Sequence, residues 1–121
     1  MYYTLVGIWK FLKAPRVTLV SLEEFAELHR TGCLLVDVRE THEYTKGHVP
    51  GATSMPLSHL AHRADELPTD RTVHLICASG HRSRIAARIL RSAGVDARSV
   101  SGGTAAWAHR NLPLVRGPKP R

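Results

Sequence analysis

Apolar positions along this chain come in short runs separated by turn residues. Val17-Thr18-Leu19 reads as a short strand. Ser21 stands where a helix cap belongs, with Glu24 at the capping-box position. Leu22, Phe25, Ala26 and Leu28 then give a helical apolar face, and Gly32 ends it. Cys33 to Val38 is a continuous apolar run, as a strand buried on both faces requires. Glu40 to Lys46 predicts a short helix or turn closed by Gly47, and Pro50-Gly51 a turn. Ala52 to Met55 reads as another short strand, and Ser58 starts a helix that runs to Leu67-Pro68. The run Val73 to Cys77 predicts a strand. Ser83 to Ser92 predicts a helix that buries Ile85, Ala86, Ile89 and Leu90 and turns Arg84, Arg88 and Arg91 outward. Gly94 stops it, Ala97 to Val100 is a fifth strand, and Gly102-Gly103 leads into a last short helix carrying Trp107.

Strands alternating with helices predict an α/β fold: a mainly parallel sheet of about five strands with helices on both faces. At 121 residues the chain suits one domain, large enough to bury a core without metal or disulfide support. Its two cysteines, Cys33 and Cys77, form no disulfide framework. Cys33 reads as a small buried residue. Pairing of Cys33 with Cys77 stays open. A reactive thiol must remain free, so the expected compartment is a reducing cytoplasm.

Charge changes the picture once it is located. The net +7 equals the basic residues of the two ends: Lys10, Lys13 and Arg16, then Arg110, Arg116, Lys119 and Arg121. The body between them is neutral, and no aromatic residues interleave with a basic stripe, which argues against nucleic acid as a partner. Within the body, residues 17–70 are acidic and residues 71–109 basic. The half containing Cys77 therefore suits an anionic substrate. Residues 113–121, with Gly117, Pro118 and Pro120, read as a basic mobile tail. Residues 1–16 form a hydrophobic and basic extension. As a helix, residues 1–12 would measure about 18 Å, too short to cross a bilayer. Three readings of them stay open: packing on the domain, contact with a protein partner or second copy, and peripheral membrane association aided by Lys10, Lys13 and Arg16.

The chemistry gathers where the Val73–Cys77 strand meets the next helix. A thiol there faces backbone N–H groups and the positive end of a helix dipole. Both lower its pKa, and the thiolate is the nucleophilic form. Ligands of such sheets sit beyond the carboxyl ends of the strands, where Asp37 and Arg39 also lie. His74, Cys77 and His81 invite a metal reading. His74 and Cys77, three apart on a strand, point to opposite faces, so no metal is expected.

The segment Cys77-Ala78-Ser79-Gly80-His81-Arg82 resembles the Cys-x-x-Gly-x-Arg loop of the rhodanese family. The stretch Asp37 to Ala52 resembles that family's first signature, and Gly102-Gly103-Thr104-Ala105-Ala106-Trp107 its Gly-Gly-x-x-x-Trp close. Three motifs in order, over about residues 17–112, identify the chain as similar to a single-domain rhodanese with a three-layer fold. The resemblance implies a sulfurtransferase that carries sulfur as a Cys77 persulfide and needs no cofactor. The donor would be a small sulfur anion such as thiosulfate, a polysulfide or a persulfide; the acceptor would be cyanide or a thiol. Ala78, Ser79, Gly80, His81, Arg82 and Ser83 would form the loop. Their N–H groups would face the persulfide, the Ser79 and Ser83 hydroxyls would add donors, and the Arg82 fork would orient the donor's oxyanion. Asp37 and Arg39 would support the site, with Asp37 bonded to loop backbone and Arg39 paired with a carboxylate such as Glu43. His48 reads as a structural hydrogen-bonder, His81 as a residue that touches substrate or tunes Cys77, and Trp107 as packing. The related phosphatases place five residues between cysteine and arginine rather than four, which sets phosphate chemistry aside. A partner-binding module without activity and a thiol-dependent reductase, such as one for arsenate, are the alternative functions.

Overall fold

The computed structural model describes residues 16–121; the readings of residues 1–12 lie outside the described residues. Five strands form one all-parallel sheet: β1 (Thr18–Val20), β2 (Leu34–Asp37), β3 (Thr53–Ser54), β4 (Val73–Ile76) and β5 (Ala97–Val100), in the order β1-β5-β4-β2-β3. The helices are α1 (Leu22–Thr31), α2 (Thr41–Lys46), α3 (Leu57–Arg63), α4 (His81–Ser92) and α5 (Gly103–His109). A 3-10 turn over Ala64–Glu66 follows α3. The α/β architecture expected from the sequence is the one observed.

Side chains alternate across the central strands. Val36 and Leu75 enter one core with Leu60 of α3 and Ala86, Ala87 and Leu90 of α4. Leu35 and Ile76 enter the other with Phe25 of α1, Tyr44 of α2 and Trp107 of α5. The helices thus cover both faces. Ser21 caps α1 by accepting the Glu24 N–H at 3.1 Å, and Gly32 ends it at φ 97°.

Three expectations differ. α4 starts two residues early, at His81, and its buried face is Ser83, Ala86, Ala87 and Leu90, spaced i, i+3, i+4, i+7. Small residues let this helix lie close on the sheet. Ile85 is therefore displaced to the surface at 37% exposure. Arg91 folds back to donate to the Ala97 carbonyl at 3.1 Å instead of projecting into water. The tail read as mobile is held along α2 and the turn after it. His48 and Val115 form an antiparallel bridge, Gly117 N–H donates to Thr45 O at 2.9 Å, and Gly51 N–H donates to Pro120 O. Backbone pairing fixes this segment, and composition carries no sign of that.

Candidate active site

Strand β4 ends at Ile76, and the next residue, Cys77, is buried at 1% exposure. Gly80, at φ 104°, takes the left-handed turn that folds the chain back into α4. This turn aims N–H donors at the sulfur. Gly80 N–H lies 3.1 Å from Cys77 Sγ and Ser83 N–H 3.3 Å. The first N–H groups of a helix have no partner within it, so α4 spends one of them on the thiol. The Ser83 hydroxyl lies 3.5 Å from Sγ. Burial pushes the Cys77 thiol up. The Ser83 hydroxyl and the backbone N–H groups of Ser83, Gly80 and Ser79 outweigh burial, and the pKa lies below the ordinary 9.0.

The loop keeps its N–H groups inward because its carbonyls are engaged outward. Cys77 O accepts from Thr104 N–H at 2.8 Å, and Ala78 O from Ala105 N–H at 2.9 Å. Both donors belong to the first turn of α5. That approach requires Gly103, at φ 59°, where a Cβ would overlap the Cys77 carbonyl and the Ala78 backbone. The Gly102-Gly103 pair is thus a backstop for the cysteine loop.

Asp37 and Arg39 form a buried bidentate pair. Arg39 Nε lies 3.0 Å from Oδ1 and an Nη 2.7 Å from Oδ2, while Asp37 also accepts the Arg39 backbone N–H at 3.0 Å. Arg39 further donates to the Gly47 carbonyl at 2.7 Å, tying β2 to the end of α2. The carboxylate expected for Arg39, Glu43, instead belongs to Arg82. Both Arg82 Nη atoms bind its carboxylate, at 2.7 and 2.9 Å. The Arg82 fork is therefore committed to α2 rather than open to a ligand. The Arg82 guanidinium holds the Glu43 carboxyl down at about 2 against burial, which raises it. Arg39 turns back at the end of β2 onto Asp37, two residues before it.

Other residues fall as follows. Ala78 is half-buried, while Ser79 and His81 are exposed. His48 is buried, stacks on the Tyr44 ring at 3.7 Å and bonds the Tyr44 carbonyl through Nδ1 at 2.9 Å, the structural role expected. Trp107 is core, with Nε1–H donating to Pro113 O at 2.7 Å. Cys33 is free and half-buried ahead of β2, rather than inside it. His74 packs near Phe25, in the core opposite the one that holds Cys77. Sequence reasoning missed Ser99. This buried β5 residue sits 2.7 Å from the Ser83 hydroxyl. Its one signal was a small polar residue on the same strand face as Ala97, with Arg98 on the other face.

A shallow groove of about 390 Å³ opens beside the loop, lined among others by Glu43, Lys46, Ala78, Thr104, Ala105 and Leu114. Among the described residues no helix is long and apolar enough to cross a membrane.

Residues 21–110 match the rhodanese-like domain family model. A sulfurtransferase of Allochromatium vinosum is 39% identical over 83 residues, covering 68% of this chain and 78% of that protein. The uncharacterized protein YqhL of Bacillus subtilis is 41% identical over 86 residues, covering 70% of this chain and 68% of its own. In two further relatives the chain spans only 45% and 38% of the longer protein. A rhodanese-related protein of Thermoplasma volcanium superposes with a TM-score of 0.77 at 27% identity, over 83% of this chain and 99% of that one. With the family model matching most of the chain, and the cysteine loop held by its Gly-Gly backstop at the end of β4, next to the strand that ends in the Asp37–Arg39 turn, the chain belongs to the rhodanese-like domain family.

Proposed function

We propose that this protein is a sulfurtransferase working through a Cys77 persulfide. The observation that carries the reading is the convergence of the Gly80 and Ser83 N–H groups on Cys77 Sγ, at 3.1 and 3.3 Å. The named sulfurtransferase among the relatives supports it. The thiolate attacks the outer sulfur of a donor. A new Sγ–S bond forms, the donor's S–S bond breaks, and the leaving group departs with the electron pair. The resulting persulfide is an anion at the mouth of α4, where fixed N–H donors stabilise it without reorganising. An acceptor thiol or cyanide then attacks the outer sulfur, and Cys77 leaves as the thiolate it began as. The cycle balances without a cofactor. Thiosulfate, polysulfide and organic persulfide all fit this scheme as donors, and a reducing cytoplasm is the compartment that keeps Cys77 free.

Intact mass after incubation with a donor, with and without reductant, tests the reading. The expected result is a reductant-labile gain of one sulfur atom that disappears in Cys77→Ser. No adduct from thiosulfate, polysulfide or organic persulfide would overturn it and leave the partner-binding alternative.

A further inference from the structure

We infer that the sulfur donor is an organic persulfide whose body carries a carboxylate, rather than a compact dianion such as thiosulfate; this rests on the sulfur-transfer reading above. Of the arginines around Cys77, Arg82 is neutralised by Glu43 through both Nη atoms, and Arg39 by Asp37. Both guanidiniums carry compensated charge, so although Arg39 lines the groove neither offers a free cation to sulfite oxygens. Position 78, beside the nucleophile, is alanine and adds no charge. Thiosulfate would bring two negative charges to a thiolate and release sulfite, also a dianion, into a groove with both guanidiniums already paired. An organic persulfide brings at most one charge to the reacting end and releases one thiolate.

The groove suits such a body. Ala105, Ala108 and Leu114 give it an apolar wall, and the tail strap holds Leu114 there through the His48–Val115 bridge. Lys46 lines the same groove, exposed, and makes no ion pair with a described residue. It is the group that a carboxylate remote from the sulfur would meet. Thr104 also lines the groove, and its buried hydroxyl has no hydrogen-bond partner. A buried hydroxyl left without a partner is unusual in a folded protein; a ligand in this groove is assigned as its partner. The step is Cys77–S⁻ + R–S–SH → Cys77–S–SH + R–S⁻. The Sγ–S bond forms, the donor S–S bond breaks with its electron pair leaving on R–S⁻, and the proton stays on the transferred sulfur.

The test uses the full chain with three probes: thiosulfate, N-acetylcysteine persulfide and the methyl ester of that persulfide. The acid persulfide is expected to exceed thiosulfate in kcat/KM by at least about fivefold, the effect of one extra unit charge a few ångströms from the thiolate under water-like screening. The acid is expected to exceed its ester by about two- to fivefold, the worth of an exposed ion pair. Lys46→Ala is expected to erase that second difference through KM. Thr104→Val is expected to raise KM for the acid by about fivefold while the Tm holds or rises, because an unpartnered polar group is removed from the interior. Glu43→Gln frees the Arg82 fork and is expected to narrow the gap to thiosulfate. Wild-type preference for thiosulfate, or equal rates for acid and ester, overturns the inference. Loading of Cys77 by inorganic polysulfide keeps the two levels apart: if it loads and thiosulfate wins, only the donor assignment falls; if no donor loads it, the sulfur-transfer reading falls too.

Discussion

Replacing Ser83 with alanine isolates one of the groups that hold the Cys77 thiol below its ordinary pKa. The backbone donors at 3.1 and 3.3 Å remain, and a hydroxyl at 3.5 Å is lost. A hydrogen bond to a charged group contributes about 1.5–3 kcal/mol. At this length the lower end applies, so the thiol pKa rises by about one. Below the pKa the thiolate fraction then falls about tenfold, while the more basic thiolate gains about threefold in nucleophilicity. The net alkylation rate at low pH falls about threefold, and the inflection of the pH profile moves up by about one. Iodoacetamide labelling across pH measures this in a Cys33→Ser background, because Cys33 is the other free thiol. The single Ser83 hydroxyl proton points to Gly80 O at 3.1 Å while Cys77 is a thiol and turns to Sγ in the thiolate; the oxygen also pairs with Ser99 at 2.7 Å, so the variant loses stability. Ser83→Ala/Ser99→Ala removes both buried partners together and costs less than leaving one unpaired. An inflection unmoved in both the single and the double variant would refute the assigned role of the hydroxyl.

Further outcomes follow from the same geometry. Glu43 is held at about 2 in the fold against an ordinary 4.5, so its contribution is present above pH 4.5 and lost as pH falls toward 2. The ceiling is about 3 kcal/mol, reduced to about 1–2 by solvent screening; acid unfolding of Glu43→Gln should lack this component in that window. His74 is buried among apolar groups, and burial lowers its pKa below 6.5. The unfolded chain therefore takes up the proton first, and stability falls as pH drops below 6.5; His74→Leu should stabilise more at about pH 5 than at about pH 8, by thermal denaturation. Gly103→Ala places a Cβ on the Cys77 carbonyl at a positive φ, so it should destabilise by about 2–5 kcal/mol from overpacking and left-handed strain together and depress Cys77 labelling. Equal Tm and labelling for that variant would remove the backstop role.

Hydrophobic periodicity and turn residues carried the sheet, its helices and the placement of Cys77 at a strand end, because these depend on local propensity and on which side chains avoid water. The spacing Cys77 to Arg82 and the Gly102-Gly103 pair marked the site for the same reason: each is a backbone demand written into adjacent residues. The partners of charged groups were not legible. The sequence pointed Arg39 to Glu43 and Arg82 to the donor's oxyanion, and the fold gave Glu43 to Arg82, 39 positions away. Ser99 behind Ser83, the carbonyl lock from α5 and the tail strapped to His48 are likewise contacts between segments distant in sequence. So the amino-acid order by itself determined an α/β domain with an activated thiol above a helix. The packing of β5, α2 and α5 around that thiol decided which donors reach the sulfur and which guanidiniums are already neutralised, since only three-dimensional proximity chooses among equally eligible polar partners.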